Sequence, residues 1–313
     1  MFDTERYELA IVVILIQTLR CVNRVPAAIA MSALAPLAES IRGRLDHLTA
    51  SERRAARALL AHYPMLGLET VAGFSARSGV SPPTILRFVG RLGFSAYADF
   101  QRRLREEVEA QLQSPLAKAA PPDQPGELRS HSAFAASVCD NVAETFRNLP
   151  KAEFEAAVAL LADPKRTVHL LGGRFTDAVA RYMAAHLRIL RPRVRHMDGQ
   201  PANWRDQLVD MDRRDVLVVF DIRRYQDDLA ALAGAAAARQ AAIVLVTDQW
   251  LSPIARVALH VLPARIQVPS AWDSSAALVA IAEALIAAVT ERAWPRVSER
   301  IATLERLRSA GAG

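Results

Sequence analysis

Cysteine is scarce in this sequence of 313 residues, and so are long apolar runs. Its two cysteines, Cys21 and Cys139, form neither a spaced pair nor a metal-binding pattern. This argues against a disulfide-stapled secreted domain and predicts a cytoplasmic protein without a bound metal or cofactor. The most apolar stretch, residues 9–19, is about half as long as a membrane span requires. We therefore expect no association with a membrane.

Lysine is also rare, since only Lys118, Lys151 and Lys165 occur. Nearly all the positive charge behind the formal net charge of +6 is therefore arginine. Because arginine and alanine are both abundant, this bias can reflect a GC-rich genome, and net charge alone does not predict a nucleic-acid partner. Half of the residues are hydrophobic (51%), and the length suggests about two domains.

The most informative segment is residues 48–94, which predicts several short helices. Thr70 can cap a helix that runs to about Arg77, and Gly79 with Val80 can form the following turn. Ser81 can then cap a second helix, with Pro82 at its first position, where a missing N–H costs nothing. Two short helices joined by such a turn form a helix-turn-helix pattern.

The second of these helices has two distinct faces. An inward face is predicted for Ile85, Phe88, Val89 and Leu92. A capped helix with arginines on its other face suits insertion into a DNA major groove. We predict that the residues contacting DNA are Ser81, Pro83, Thr84, Arg87 and Arg91. The alternative is an all-α domain that does not bind DNA.

The sequence of this segment resembles that of the N-terminal domain of RpiR-type (MurR/RpiR) bacterial transcriptional regulators. The matching elements are Gly79-Val80-Ser81, Thr84, Arg87-Phe88, Leu92-Gly93-Phe94 and the opening Leu48-Thr49-x-x-Glu52, which is also a capping box. The resemblance covers about residues 35–112. It implies a helix-turn-helix domain that reads an operator.

Four segments are predicted along the chain. Residues 1–34 form an N-terminal extension. Its residues 1–30 are either an upstream extension that results from a misassigned start codon or an extra helix that packs on a partner subunit. Residues 35–112 form the helix-turn-helix domain. Residues 113–130 contain four prolines and form a linker. Residues 131–313 form a ligand-sensing and oligomerisation domain.

Strands and helices alternate in this last segment. Buried strands are predicted at 167–171, 193–197, 215–220, 242–247 and 260–262. Helices are predicted at 131–149, 151–161, 176–190, 227–239, 252–257, 271–292 and 297–307. This alternation predicts an α/β, doubly wound and mainly parallel sheet, with ligands bound beyond the carboxyl ends of its strands.

Residues 135–292 resemble the SIS (sugar isomerase) domain, a sugar-phosphate-binding α/β fold and the usual partner of an RpiR-type DNA-binding domain. The best match is Val246-Thr247-Asp248 followed by Ser252-Pro253-Ile254-Ala255. Two loops depart from the family pattern. The G-x-G-x-S loop is Gly172-Gly173-Arg174-Phe175-Thr176 here, and the S-x-S-G-x-T loop is replaced by residues 221–226, DIRRYQ.

These departures exchange a hydroxyl cradle for arginines, and arginine grips a phosphate or carboxylate through two parallel hydrogen bonds. The predicted ligand residues are Gly172, Gly173, Arg174, Thr176, Asp221, Arg223, Arg224, Ser274 and Ser275. Alternatively, the arginines pair with nearby aspartates in a degenerate pocket. Thr176, Ser274 and Ser275 can equally be simple helix caps.

No catalytic constellation stands out, and His169 and His186 lie within predicted elements, where a structural role is expected. The sequence predicts a transcriptional regulator, not an enzyme. Its expected partners are a palindromic DNA operator, a small anionic carbohydrate derivative as effector, and further copies of itself. Two alternatives stay open: a sugar-phosphate isomerase, and a regulator whose pocket no longer binds a ligand.

Overall fold

A computed structural model describes residues 37–112, 118, 131–199 and 201–310. The predicted extension, residues 1–34, lies outside the described residues, and so does the predicted linker apart from Lys118. The domain boundaries therefore stay a prediction. Within the described ranges, no helix is long and apolar enough to cross a membrane.

The first described domain is entirely helical. Its helices are α1 Leu37–Arg44, α2 Ala50–Ala61, α3 Met65–Leu68, α4 Val71–Ser78, α5 Pro82–Arg91 and α6 Tyr97–Leu112, with a 3₁₀ turn at Leu45–His47. Several predicted local signals are confirmed. Thr49 and Glu52 form both bonds of a capping box, and Thr70 accepts a hydrogen bond from the Gly73 amide at 3.1 Å. Gly79 ends α4 with φ of 66°, a left-handed conformation that glycine adopts at no steric cost.

The core of this domain holds α4 and α5 against each other. The predicted inward residues Ile85, Phe88, Val89 and Leu92 are all buried. Phe74 of α4 meets Phe88 of α5 edge to face, with ring centroids 6.4 Å apart. This packing fixes which face of α5 points outward.

The second described domain begins with two helices, after which strands and helices alternate. Its elements are α7 His131–Asn148, α8 Lys151–Ala162, β1 Thr167–Gly172, α9 Asp177–Leu190, β2 Val194–His196, α10 Pro201–Gln207, β3 Asp215–Asp221, α11 Asp227–Ala238, β4 Ala242–Asp248, a 3₁₀ turn Pro253–Arg256, β5 His260–Ala264, α12 Ala276–Arg292 and α13 Trp294–Ala310.

The five strands form one sheet in the order β2-β1-β3-β4-β5, with every neighbouring pair parallel. The predicted doubly wound sheet is therefore confirmed. One face packs against α8, α9 and α12, and the other against α10 and α11. In this strand order the connections switch direction between β1 and β3, which is where such sheets bind ligands.

The helix predicted at 252–257 is a 3₁₀ turn at Pro253–Arg256, and the helix predicted at 297–307 runs from Trp294 to Ala310. Two further differences concern α12 and α10. The predicted helix from residue 271 begins only at Ala276, because residues 271–275 stay irregular and Ser275 stands at the helix cap. This leaves Trp272 and Asp273 in a loop at the edge of the sheet. Helix α10 was not predicted, since a seven-residue polar segment carries almost no periodic signal.

The two domains are in direct contact. Leu251, in the turn after β4, is 5% exposed and packs into the core of the helical domain. Its φ of 67° is a strained conformation for a residue with a side chain. Beside it, Arg265 Nη2 lies 2.6 Å from Glu39 Oε2 of α1, and both side chains are mostly buried.

Candidate functional site

The outward face of α5 carries most of the predicted DNA-contacting residues. Ser81, Pro83, Arg87 and Arg91 are exposed. Thr84 is not, because the first turn of α5 directs it inward and leaves it 6% exposed. Its hydroxyl lies 2.9 Å from that of Ser81 and accepts a hydrogen bond from Arg87 Nη2 at 3.1 Å. Thr84 thus positions Arg87 and cannot itself reach a base edge without moving.

Arg91 is tied to its own domain more firmly than Arg87. Its Nε lies 3.0 Å from Glu52 Oε1, and its Nη1 donates to the His47 carbonyl at 3.3 Å. Burial raises the pKa of Glu52, but hydrogen bonds from Thr49 and the charges of Arg91 and Arg87 lower it further than burial raises it. Arg91 therefore forms an ion pair with a buried carboxylate. Arg87, by contrast, donates a hydrogen bond only to Thr84 among the described residues.

Leu86 was overlooked in the sequence. It lies next to Arg87 on α5 and is 50% exposed. An apolar side chain on this face can contact the methyl group of thymine. Its departure from the inward spacing of Ile85 and Val89 was the available signal.

A cavity of about 710 Å³ opens at the carboxyl ends of β1 and β3. Seven of the nine predicted ligand residues line it: Gly173, Arg174, Thr176, Asp221, Arg223, Arg224 and Ser275. Gly172 and Ser274 do not. Ser274 accepts a hydrogen bond from the Ala276 amide at 3.2 Å, as a cap does. A Cβ on Gly172 would lie 2.4 Å from the Asp177 amide, so this glycine permits β1 and α9 to approach closely.

Thr176 uses its hydroxyl group within the fold. It donates to the Phe220 carbonyl at 2.6 Å and accepts from the Gly173 amide at 2.8 Å. The single hydroxyl hydrogen is therefore already engaged, and Thr176 is 2% exposed. The predicted role of Thr176 as a donor to a ligand does not fit this arrangement. Its hydroxyl instead fastens the β1–α9 loop to β3.

Arg223 is the buried cation of the cavity. Its side chain is 1% exposed, and its guanidinium carbon lies 4.3 Å from the centre of the Trp250 ring. Its Nε is 3.4 Å from Asp273 Oδ2, but none of its three side-chain nitrogens has a hydrogen-bond partner among the described residues. Burial lowers the pKa of Arg223, against the opposing charges of Asp273 and Asp248. Arg174 and Arg224, by contrast, are exposed.

Two buried aspartates, Asp221 and Asp248, lie at the carboxyl ends of β3 and β4. Asp248 accepts hydrogen bonds from the Arg223 amide at 2.5 Å and from the Tyr225 hydroxyl at 2.7 Å. Asp221 accepts one from the Ser252 hydroxyl at 2.5 Å. Burial raises the pKa of Asp221 to about 7, with the Ser252 hydrogen bond opposing this and the charge of Asp248 adding to it. At neutral pH this side chain therefore holds a proton far more often than an exposed aspartate does.

The rim of the cavity includes two exposed aromatic side chains. Phe175 and Trp272 meet edge to face with ring centroids 5.8 Å apart. Sequence reasoning missed these residues and also Gln226, Asp248, Trp250 and Asp273. Asp248 belonged to the matched Val246-Thr247-Asp248 motif, and Gln226 to the divergent loop. Trp272 and Asp273 gave no signal, because they were assigned to a helix.

Lys118 is the one described residue of the predicted linker, and it reaches this cavity. Its Nζ lies 2.5 Å from Asp273 Oδ1, and its side chain is 10% exposed. Asp273 thus has a cation on each side, Lys118 and Arg223. Residue 118 therefore contacts the α/β domain.

Three histidines, His169, His196 and His260, each face a carboxylate of the fold. The buried His169 faces Asp215 across 3.5 Å, and burial lowers its pKa. His196 and His260 each have a carboxylate partner, Asp177 at 2.7 Å and Glu153 at 2.8 Å. None of these three lines the cavity.

Comparison with known families supports this architecture. A family model described as "Helix-turn-helix domain, rpiR family" matches residues 35–111, and one described as "SIS domain" matches residues 160–288. A search of curated proteins finds no significant match.

Many solved structures are similar to this chain. The sugar isomerase domain of an RpiR transcription factor from Sphaerobacter thermophilus is 24% identical, with a TM-score of 0.52, and the match covers 55% of this chain and 96% of that one. The Vibrio vulnificus NanR protein, complexed with ManNAc-6P, is 15% identical, with a TM-score of 0.50 and coverage of 87% and 97%. At these identities the likeness concerns the fold.

A helix-turn-helix domain followed by an α/β domain with a pocket at its switch point defines a class of protein, the transcriptional regulator with a ligand-sensing domain. Within that class, the order of the two matched domains is that of the RpiR-type regulators, and this chain belongs to that family.

Proposed function

We propose that the protein is a sequence-specific transcriptional regulator that reads its operator with α5 and senses a small anionic carbohydrate derivative in the cavity of its SIS domain. The observation that carries this proposal is the outward face of α5, where Arg87 is exposed and is held by Thr84 on a rigid helix. Arginine on such a face is the commonest reader of guanine in the major groove.

The guanidinium of Arg223, which is ion-paired with Asp273 but has no hydrogen-bond partner among the described residues, supports the anionic ligand. A buried cation without hydrogen bonds is costly, and an anion that supplies them removes that cost. The NanR protein, which shares this fold, was solved with ManNAc-6P, which agrees with a carbohydrate-derived effector. We expect the protein to act in the cytoplasm as a homo-oligomer, with paired α5 helices on a palindromic operator.

Selection of bound duplexes from a random DNA library tests the DNA-binding part. We expect an inverted repeat whose half-sites are about one helical turn, or a multiple of one, apart. Binding to the selected duplex should be roughly 10³-fold or more tighter than to a shuffled duplex at the same salt concentration. Equal affinity for the two duplexes would reject the proposal.

A second candidate, a SIS-fold sugar-phosphate isomerase, is favoured by one observation. A carboxyl group with a pKa near 7 in a cavity is what a general base needs, and Asp221 has that property. Incubation of the purified protein with hexose and pentose phosphates, followed by separation of aldose and ketose forms, decides this candidate. We expect no turnover, because Asp221 is 2% exposed and already accepts a hydrogen bond from the Ser252 hydroxyl.

A further inference from the structure

We propose that the SIS cavity recognises its effector as a closed pyranose ring, one face of which packs against an aromatic wall formed by Phe175 and Trp272. The inference rests on the proposed function, since it concerns the specificity of the same cavity. It does not depend on which anionic group the effector carries. Three features carry it: two exposed aromatic rings in one cavity, the contact between them, and the polar side chains beside them.

The aromatic wall consists of two large apolar side chains that the fold leaves in contact with water. Phe175 is 58% exposed and Trp272 is 56% exposed, and both line the cavity of about 710 Å³. An aromatic side chain of this size can bury roughly 150–250 Å² of surface against a partner. Apolar surface left exposed within a cavity of this volume is typical of a ligand-binding site.

The two rings come from different loops and meet to form one surface. Phe175 lies between β1 and α9, and Trp272 lies in the irregular segment before α12. Their centroids are 5.8 Å apart, with an angle of 69° between the ring planes. In such an edge-to-face pair, the ring that contributes its edge keeps both of its faces clear of the other ring. An open aromatic face is therefore available to a ligand ring.

Arg174 stacks on this aromatic wall. Its guanidinium carbon lies 5.2 Å from the centre of the Phe175 ring, and its side chain is exposed. A guanidinium that stacks through its face keeps its N–H groups in its own plane, where they can donate hydrogen bonds. A sugar packed beside Phe175 can therefore accept hydrogen bonds from Arg174 at the same time.

A pyranose ring suits such a wall because its C–H groups and its hydroxyl groups point in different directions. Axial C–H groups form a weakly polar face, which can pack on an indole or phenyl ring, whereas equatorial hydroxyl groups lie around the rim of the sugar. Those hydroxyl groups can bond to Arg224, Gln226 and Ser275, which line the same cavity and are not fully buried.

A linear polyol with the same carbon skeleton lacks this fixed apolar face. It also loses more conformational freedom when it binds, because its carbon chain is not held in a ring. The aromatic wall should therefore make the cavity select the closed ring over the open chain.

The experiment compares each sugar with its own open-chain alcohol by isothermal titration calorimetry on the full-length protein. The sugars are glucose 6-phosphate, mannose 6-phosphate, glucuronate and galacturonate. Reduction of the C1 aldehyde with borohydride gives the matched alcohol, which keeps the anionic group but cannot form a pyranose hemiacetal. We expect at least one sugar to bind, at least tenfold more tightly than its alcohol. Equal or tighter binding of the alcohol, or binding of none of the four sugars, would overturn this proposal.

Variants of Trp272 separate the aromatic wall from the rigidity of the sugar itself. Trp272→Ala should weaken binding of the sugar at least tenfold and binding of its alcohol no more than twofold, because only the ring packs on the indole. Trp272→Phe keeps an aromatic face and should retain sugar affinity within threefold of wild type. Full sugar affinity in Trp272→Ala, or an equal loss for sugar and alcohol, would contradict the proposal.

The matched control is Trp294→Ala. Trp294 is 55% exposed, almost as much as Trp272, but it does not line the cavity, so both affinities should stay unchanged. Circular dichroism confirms that each variant is folded. The DNA selection described above uses no ligand, so it judges the proposed function separately from this preference for a ring.

Discussion

At the residue scale, Asp221 links burial to the pH dependence of stability. Its pKa is about 7 in the folded protein against an ordinary value of 3.8. Folded Asp221 therefore retains a proton that an unfolded aspartate releases. The stabilisation is fully present below about pH 4 and is lost as pH rises through 7. Since one pH unit corresponds to 1.36 kcal/mol, the loss reaches about 4 kcal/mol in alkaline solution.

We predict that Asp221→Asn removes this dependence. The variant should gain melting temperature relative to wild type as pH rises from 5 to 8, as measured by differential scanning calorimetry. Asp210→Asn, a replacement of an exposed aspartate, is the matched control and should follow wild type. A difference between Asp221→Asn and wild type that stays constant over this range would contradict the account.

Arg87 and Arg91 should separate DNA reading from stability. Arg87→Ala should weaken binding to the selected operator by about 1–3 kcal/mol, with little change in melting temperature. Arg91→Ala removes the ion pair of Glu52 and should cost about 1 kcal/mol of folding stability, since Arg91 is half exposed. Operator affinity comes from fluorescence anisotropy and stability from urea unfolding. An Arg87→Ala variant with unchanged operator affinity would refute the assignment of α5.

At the element scale, the turn between β4 and β5 joins the two domains. Trp250 packs in the core of the α/β domain and contacts Arg223, while its neighbour Leu251 packs in the core of the helical domain. Leu251→Ala should therefore weaken domain docking by roughly 2–3 kcal/mol. We expect calorimetry to show a separate, earlier transition of the helical domain. Leu259→Ala, an exposed residue after the same turn, is the control. One unchanged transition in Leu251→Ala would argue against docking through this turn.

The elements that sequence predicted best are those with the strongest local signals. Strands β3 and β4 are continuous apolar runs, as parallel strands buried on both faces must be. The bounds of helices α4 and α5 are indicated by Thr70 and Gly79 at the ends of α4 and by Pro82 at the start of α5. The start of α12 was wrong by five residues because Ala271 and Trp272 extend the apolar pattern before Ser275.

The cavity was predictable only in part. Arg223 was identified because it replaces a small residue in a loop at a strand end. Its surroundings were not, since they depend on Trp250 and Asp273, which are distant in sequence, and Asp273 lies in a loop mistaken for a helix. The inward position of Thr84 also required the packing of α5 against α4.

At the scale of the whole molecule, self-association should involve α7. Phe134 and Phe146, two apolar residues of this helix, are each about two-fifths exposed, whereas Val142 packs on the core. We predict that Phe134→Ser with Phe146→Ser shifts the protein toward monomer in analytical ultracentrifugation. Val209→Ser, at another exposed apolar residue, is the control. An unchanged sedimentation coefficient in the double variant would place the interface elsewhere.

The central claim is that one chain couples an anion-binding cavity to operator binding. A ligand can shift DNA binding only if it binds the DNA-competent and DNA-incompetent states with different affinity. The direct measurement is operator affinity by fluorescence anisotropy, with and without a saturating amount of a sugar derivative. That sugar derivative is one that isothermal titration calorimetry shows to bind the protein. We predict a change of at least about fivefold in wild type, and none in Arg223→Ala at the same ligand concentration. An operator affinity that is the same with and without bound ligand in wild type would contradict the central claim.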